Sequence, residues 1–141
     1  MQMENKRFRL KRFKFETDNG KVIEKYMITD NLIPVFEINQ WIEVKSIRKV
    51  STGKEYAGRL VVFLNFLDSR GVEYDAATNK NVLDFIHSLV YGDLQDLKIK
   101  SIDTALTYRT LSKYITVIAE LYKWMDNNYE TISGFKRRQI P

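Results

Sequence analysis

The sequence predicts a mainly α domain of four to five helices preceded by an N-terminal β-hairpin. Three observations carry that reading. Basic and apolar residues alternate in the first stretch, the period of a strand. From Pro34 onward the apolar spacing changes to three and four, the period of a helix. Helix-start and helix-stop residues bracket most of the segments so defined. Residues 1–30 therefore read as a basic hairpin, residues 31–130 as a helical domain and residues 131–141 as a linker.

In chain order, "RFRLKRFKFET" supplies one strand and "KVIEKYMIT" the return strand. Asp18, Asn19 and Gly20 between them tolerate positive φ in a tight turn. The alternation slips between Leu10 and Phe13, which predicts a bulge there. "PVFEINQWIEVKSI" puts Val35, Ile38, Trp41, Ile42 and Ile47 near one side of a helix, with Pro34 suited to its first turn. In "STGKEYAGRLVVFLNFLDSRG", Thr52 and Glu55 have the spacing of a capping box. Tyr56, Leu60, Phe63, Leu64 and Leu67 share a face, and Gly71 ends the helix in a left-handed conformation. Val61, Val62 and Phe66 fall outside that face, as in a helix packed on more than one side. "TNKNVLDFIHSLVYG" predicts a third helix capped by Thr78, with Val82, Phe85, Ile86 and Leu89 inward and Gly92 near its stop. Residues 93–106 read as a loop, with or without a short turn. A fourth helix follows Thr107, carries Leu111, Ile115, Ile118, Tyr122 and Met125 as its apolar stripe, and ends near Asp126.

Of 141 residues, 44% are hydrophobic and 29% charged, enough to fold around a core. The absence of cysteine excludes disulfides and thiolate metal sites and fits a reducing compartment. No apolar run approaches the ~20 residues that span a bilayer. The N-terminus has no continuous apolar stretch of the kind a signal peptide needs. A cytoplasmic protein with no membrane partner is the expectation. His87, the single histidine, has no carboxylate or thiolate partner at metal spacing, so neither a metal nor a cofactor is expected. Trp41, Tyr122 and Trp124 sit at helical positions and read as core. Gly-rich phosphate loops, nucleophile elbows and paired-carboxylate motifs are missing, and no catalytic residue is assigned.

The net charge is +5, but the cations are sorted along the chain. Lys6, Arg7, Arg9, Lys11, Arg12 and Lys14 crowd the first strand with no acid among them, whereas residues 60–100 are acidic on balance. Lys45, Arg48, Lys49, Lys54 and Arg59 surround the start of the second helix against Glu55 alone. A helix N-terminus already carries a positive dipole, so such a cluster is self-repulsive unless an anion neutralises it. Ser51 and Thr52 supply hydroxyls at the same place. The residues alone fit a phosphate site or an ordinary solvated basic loop. On the fourth helix, Arg109, Lys113 and Thr116 fall at i, i+4 and i+7, opposite the Leu111–Ile118 stripe. Such a row suits a DNA major groove or a plain wet face.

Two of these segments resemble a known pair of motifs. Thr52, Tyr56, Leu60 and Phe63 are similar to the opening motif of the core-binding domain of tyrosine recombinases, the phage and transposon integrase family. "LTYRTLSKYITVIAELYKWM" resembles the later helix of that domain, through Thr110, Leu111, Lys113, Ile118, Leu121 and Tyr122. The resemblance covers roughly residues 26–130. It implies a SAM-like bundle that binds double-stranded DNA, alongside other recombinase protomers in a synaptic complex. The DNA-contacting set would then be Lys45, Arg48, Lys49, Ser51, Thr52, Lys54, Arg59, Arg109, Thr110, Lys113 and Thr116. It also implies that cleavage chemistry resides in a catalytic domain beyond residue 141, so that this stretch alone is not an enzyme. A stand-alone DNA-binding regulator and a helical protein-interaction module remain the alternatives.

Overall fold

A computed structural model describes residues 6–91 and 108–128. These form four α-helices and an N-terminal three-stranded antiparallel sheet of order β1-β2-β3. The chain divides into two compact units, Met1–Asn65 and Phe66–Pro141.

In the first unit, β1 (Phe8–Glu16) and β2 (Val22–Asp30) form the expected hairpin. The Thr17 N–H donates to the Lys21 carbonyl at 2.8 Å, and the Gly20 N–H to the Thr17 carbonyl at 2.9 Å. Gly20 has φ +82°, so the loop is a β-turn closed by a left-handed glycine. The expected bulge is absent: the register runs unbroken from Phe8 opposite Asp30 to Glu16 opposite Val22. The slip in the alternation has another cause, because apolar residues occupy both faces of the hairpin. Phe8, Leu10 and Ile28 share one face, and Phe13, Phe15, Ile23 and Met27 share the other. A third strand, β3 (Ile33–Pro34), pairs with Thr29 and Asp30 through a two-residue turn. Both turn residues, Asn31 and Leu32, have positive φ. Pro34 therefore lies in a strand and not in a first helical turn.

Helix α1 (Phe36–Lys45) follows, with Val35 at its N-cap. Ile38, Trp41 and Ile42 are buried as expected, but Ile47 lies beyond the helix and is exposed. Helix α2 (Val50–Ser69) begins two residues before Thr52. Thr52 is thus inside the first turn and cannot serve as the cap, so no capping box with Glu55 forms. Leu60, Phe63, Leu64 and Leu67 are buried and Tyr56 is half-buried. Two helical asparagines bind strand backbone in the manner of a neighbouring strand. Asn39 Oδ1 accepts from the Ile28 N–H at 2.7 Å and its Nδ2 donates to the Ile28 carbonyl at 3.0 Å. Asn65 does the same for Phe8, at 3.0 and 2.9 Å.

In the second unit, α2 ends as predicted at Gly71, φ +73°. The Val72 N–H reaches the Leu67 carbonyl and the Gly71 N–H the Asp68 carbonyl, both at 3.0 Å, which is a Schellman motif. A 3-10 turn (Tyr74–Ala76) leads to α3 (Asn79–Tyr91). Thr78 caps α3 reciprocally with Asn81: the Thr78 N–H donates to Asn81 Oδ1 at 2.8 Å and the Asn81 N–H approaches Thr78 Oγ1 at 3.4 Å. Gly92, the 93–106 loop and the 131–141 linker lie outside the described residues. Helix α4 (Tyr108–Asn128) buries Val117, Ile118, Leu121, Tyr122 and Met125. Its buried stripe is rotated from the expected one, since Ile115 is 45% exposed. Phe85 anchors the unit, its ring 5.3 Å from that of Phe66 and 5.8 Å from that of Tyr114. The Tyr122 hydroxyl donates to the Tyr74 carbonyl at 2.6 Å.

Candidate nucleic-acid interface

The cation cluster of the first unit is built on the junction between α1 and α2. Residues 46–49 connect the two helices. Gly53, in the first turn of α2, is buried against the end of α1. A Cβ at this position would overlap Ser46 Oγ and stand 3.1 Å from the Ile42 carbonyl oxygen. Glycine is what lets the first turn of α2 seat so close to the last turn of α1. This seating answers part of the electrostatic question. The negative end of α1 lies beside the connecting residues, so Lys45 in its last turn is placed favourably. The first turn of α2 has no acid of its own.

The sequence-predicted residues then separate by environment. Arg48, Lys49 and Ser51 are exposed at the junction, and Thr52 is half-buried. Lys45 is half-buried, its ammonium 5.5 Å from the Tyr56 ring centroid and 6.0 Å from that of Trp41. Lys54 is exposed but stands over Tyr26, 5.5 Å from the ring centroid. These aromatic faces stabilise cations whose stems lie along apolar surface. Arg59 is further away, about 14 Å along the axis of α2 from its first turn. Its side chain is 23% exposed and 4.0 Å from Glu55, so it does not join the cluster. The ring behind Lys54 was not legible in the sequence, because Tyr26 is contributed by β2, whereas Trp41 stands one helical turn before Lys45 in α1. The strand-binding asparagines had a faint signal: Asn is a poor helix former, and both Asn39 and Asn65 stand inside helical patterns.

In the second unit, Arg109, Lys113 and Thr116 are all exposed on α4, away from Val117, Ile118 and Leu121. Thr110 is half-buried at the edge of that face. Glu120 and Lys123 follow along the same side, so the unmixed basic character ends after the first two turns.

His87 is exposed, with its ring 5.6 Å from that of Tyr91. Among the described residues no three metal-ligating side chains converge. Trp41 and Tyr122 are buried in their units and Trp124 is half-buried, in keeping with packing roles. No described helix is long and apolar enough to cross a membrane. Comparison of the chain with protein-family models, curated proteins and solved structures finds no match.

Proposed function

We propose that this chain is the DNA-binding part of a site-specific tyrosine recombinase or integrase, a SAM-like core-binding domain that clamps the recombination-site duplex during integration or excision. The observation that carries the reading is the exposed, acid-free run Arg48–Lys49–Ser51 at the seated N-terminus of α2. Backbone N–H groups at a helix start, a positive dipole and two free-standing cations together favour a phosphate. The run adjoins the segment whose Thr52, Tyr56, Leu60 and Phe63 resemble the recombinase motif, and Leu60 and Phe63 are buried there. The exposed row Arg109, Lys113 and Thr116 on α4 suits a groove-reading surface, with the resemblance extending to Thr110 and Lys113.

In this reading the junction of α1 and α2 holds the DNA backbone and sets register, while α4 reads base edges. Double-stranded DNA and further recombinase protomers are the partners. The chain binds but does not cut, because the cations that would activate a phosphodiester and the tyrosine that would attack it belong to a separate catalytic domain.

The test is a mobility-shift titration of the full chain and its Arg48→Ala/Lys49→Ala variant on duplex DNA at several salt concentrations. Loss of two phosphate contacts reduces the slope of log K against log[salt] by about two units on every sequence. An unchanged slope in the folded variant removes the α2 junction from the interface.

A further inference from the structure

The proposed clamp uses none of the cations that crowd β1, and the structure sorts them. Arg7 is held by Asp30 through two bonds, of 2.8 and 2.9 Å, and Arg12 by Glu24 at 3.1 Å. Arg9 and Lys11 meet no acid among the described residues. The register puts Arg12 and Lys14 on one face of the hairpin, and Arg9 and Lys11 on the other, with Phe13 and Phe15. Phe8 and Ile28, on the first face, are buried in the core. The second face is turned away from that core, and only Thr29, at its β3 end, is buried there.

This outer face carries cations and rings in one line. Arg9, Lys11, Phe13 and Phe15 follow at two-residue spacing along β1, about 20 Å from end to end. The rings of Phe13 and Phe15 are nearly parallel, at 21°, with centroids 6.3 Å apart. Phe15 is 44% exposed, and Lys11 is exposed. Opposite the rings on β2 stand Lys25 and Ile23. Lys25 Nζ is met by Glu43 Oε2 of α1 at 2.8 Å, but β1 and β2 place no acid of their own on this face.

Unpaired cations in line with aromatic rings call for a ligand that repeats an anion and a flat apolar surface. A single-stranded polynucleotide does so at every unit: its phosphates meet cations and its unstacked bases lie on rings. A duplex offers its phosphates alone, because its bases already stack on one another, and Phe15 would then face a charged backbone. An acidic peptide meets the cations but carries no repeating flat group for the rings. We propose that the outer face of the hairpin binds a single-stranded polynucleotide, with phosphates on Arg9 and Lys11 and bases on Phe13 and Phe15. The site shares no residue with the α1–α2 junction or with α4, so it stands or falls apart from the clamp.

The probe is fluorescein-labelled oligothymidylate of about ten nucleotides, titrated with the full chain by fluorescence polarisation. Its reference is an abasic strand of the same length, which keeps the phosphates and lacks the bases. The oligothymidylate is expected to bind about tenfold tighter than the abasic strand, with the largest amide NMR shifts at Arg9–Phe15. Phe15→Leu keeps an apolar side chain and loses the ring; it weakens oligothymidylate about fivefold or more, whereas Phe15→Trp retains the affinity. Neither change alters duplex binding, which separates this face from the clamp. Arg9→Ala/Lys11→Ala weakens both strands and reduces the salt slope by about 1.4 units, two contacts at about 0.7 each. Oligouridylate of the same length is the second arm: binding to either polymer supports the proposal, and the tighter of the two names the sugar. Equal affinity for the abasic strand, or unchanged oligothymidylate affinity in a folded Phe15→Leu variant, overturns the proposal. So does an affinity for anionic phospholipid vesicles that Phe15→Leu abolishes while oligothymidylate binding persists, which would assign the face to a membrane surface.

Discussion

Replacing Gly53 with alanine tests whether the seating of α2 on α1 is as tight as the structure shows. In an open helix position this change stabilises by about 1 kcal/mol, because alanine loses less backbone entropy than glycine. Here the new Cβ overlaps Ser46 Oγ, stands 3.0 Å from Ser46 Cβ and 3.1 Å from the Ile42 carbonyl oxygen. Overpacking of this kind costs about 1–3 kcal/mol. Moving the Ser46 hydroxyl aside breaks its 2.8 Å bond to the Ile42 carbonyl, a further loss of about 1 kcal/mol. The clash outweighs the propensity gain, and Gly53→Ala destabilises by about 1–3 kcal/mol. Ser46→Gly removes both of the closest atoms, so Gly53→Ala in that background is neutral or stabilising. The coupling energy of the double-mutant cycle is then about 2 kcal/mol, read from urea denaturation followed by circular dichroism. A stabilising Gly53→Ala in the wild-type background, or no coupling with Ser46→Gly, would refute the reasoning.

Other outcomes follow from the same geometry. Leu32 holds φ +75° while 72% exposed, so Leu32→Gly, which gives the Asn-Gly pair favoured in such turns, stabilises by about 0.5–1 kcal/mol in the same assay. Asn39→Ala and Asn65→Ala each strip two backbone bonds from a strand and destabilise by about 1–3 kcal/mol, with faster amide exchange at Ile28 and Phe8 respectively. Arg109→Ala and Lys113→Ala leave stability within about 0.5 kcal/mol, because both are exposed. On DNA, a base contact at either position shows as a loss of about 1–3 kcal/mol on the preferred site alone, measured by competition against scrambled duplex. Equal losses on both duplexes would make the pair backbone contacts.

How much was legible in the sequence depended on whether a signal was local. Turn and cap chemistry is local: Asp18-Asn19-Gly20, Gly71 and Thr78 each did what their residue types dictate. Thr52 misled because the capping-box spacing says nothing of whether helical backbone has already begun, and Val50 and Ser51 precede it in the helix. The slip at Leu10–Phe13 was read as a bulge on the assumption of one apolar face, whereas Phe13 and Phe15 stack on the second face with centroids 6.3 Å apart. On α4 a 3.6-residue period allows neighbouring stripes, and burial of Val117 and Leu121 decided between them. Strand β3 had no signal, being two residues long and entered through a leucine in a glycine-like conformation. For the candidate interface, the charges and the i, i+4 pairs Trp41–Lys45 and Glu55–Arg59 follow from local helical spacing, but Tyr56 against Lys45 and Tyr26 under Lys54 depend on folding.

The most direct test of the DNA-clamp reading is the salt dependence of duplex binding by the unmodified chain. Five exposed cations, Arg48, Lys49, Lys54, Arg109 and Lys113, are proposed to meet DNA. If Arg48, Lys49 and Lys54 each neutralise one phosphate, and Arg109 and Lys113 add one each where they meet backbone instead of a base, log K falls with log[salt] at a slope of roughly −3 to −5. That slope, measured by fluorescence anisotropy between low and physiological salt, is the predicted result. Absence of binding at low salt, or an affinity indifferent to salt, would contradict the account.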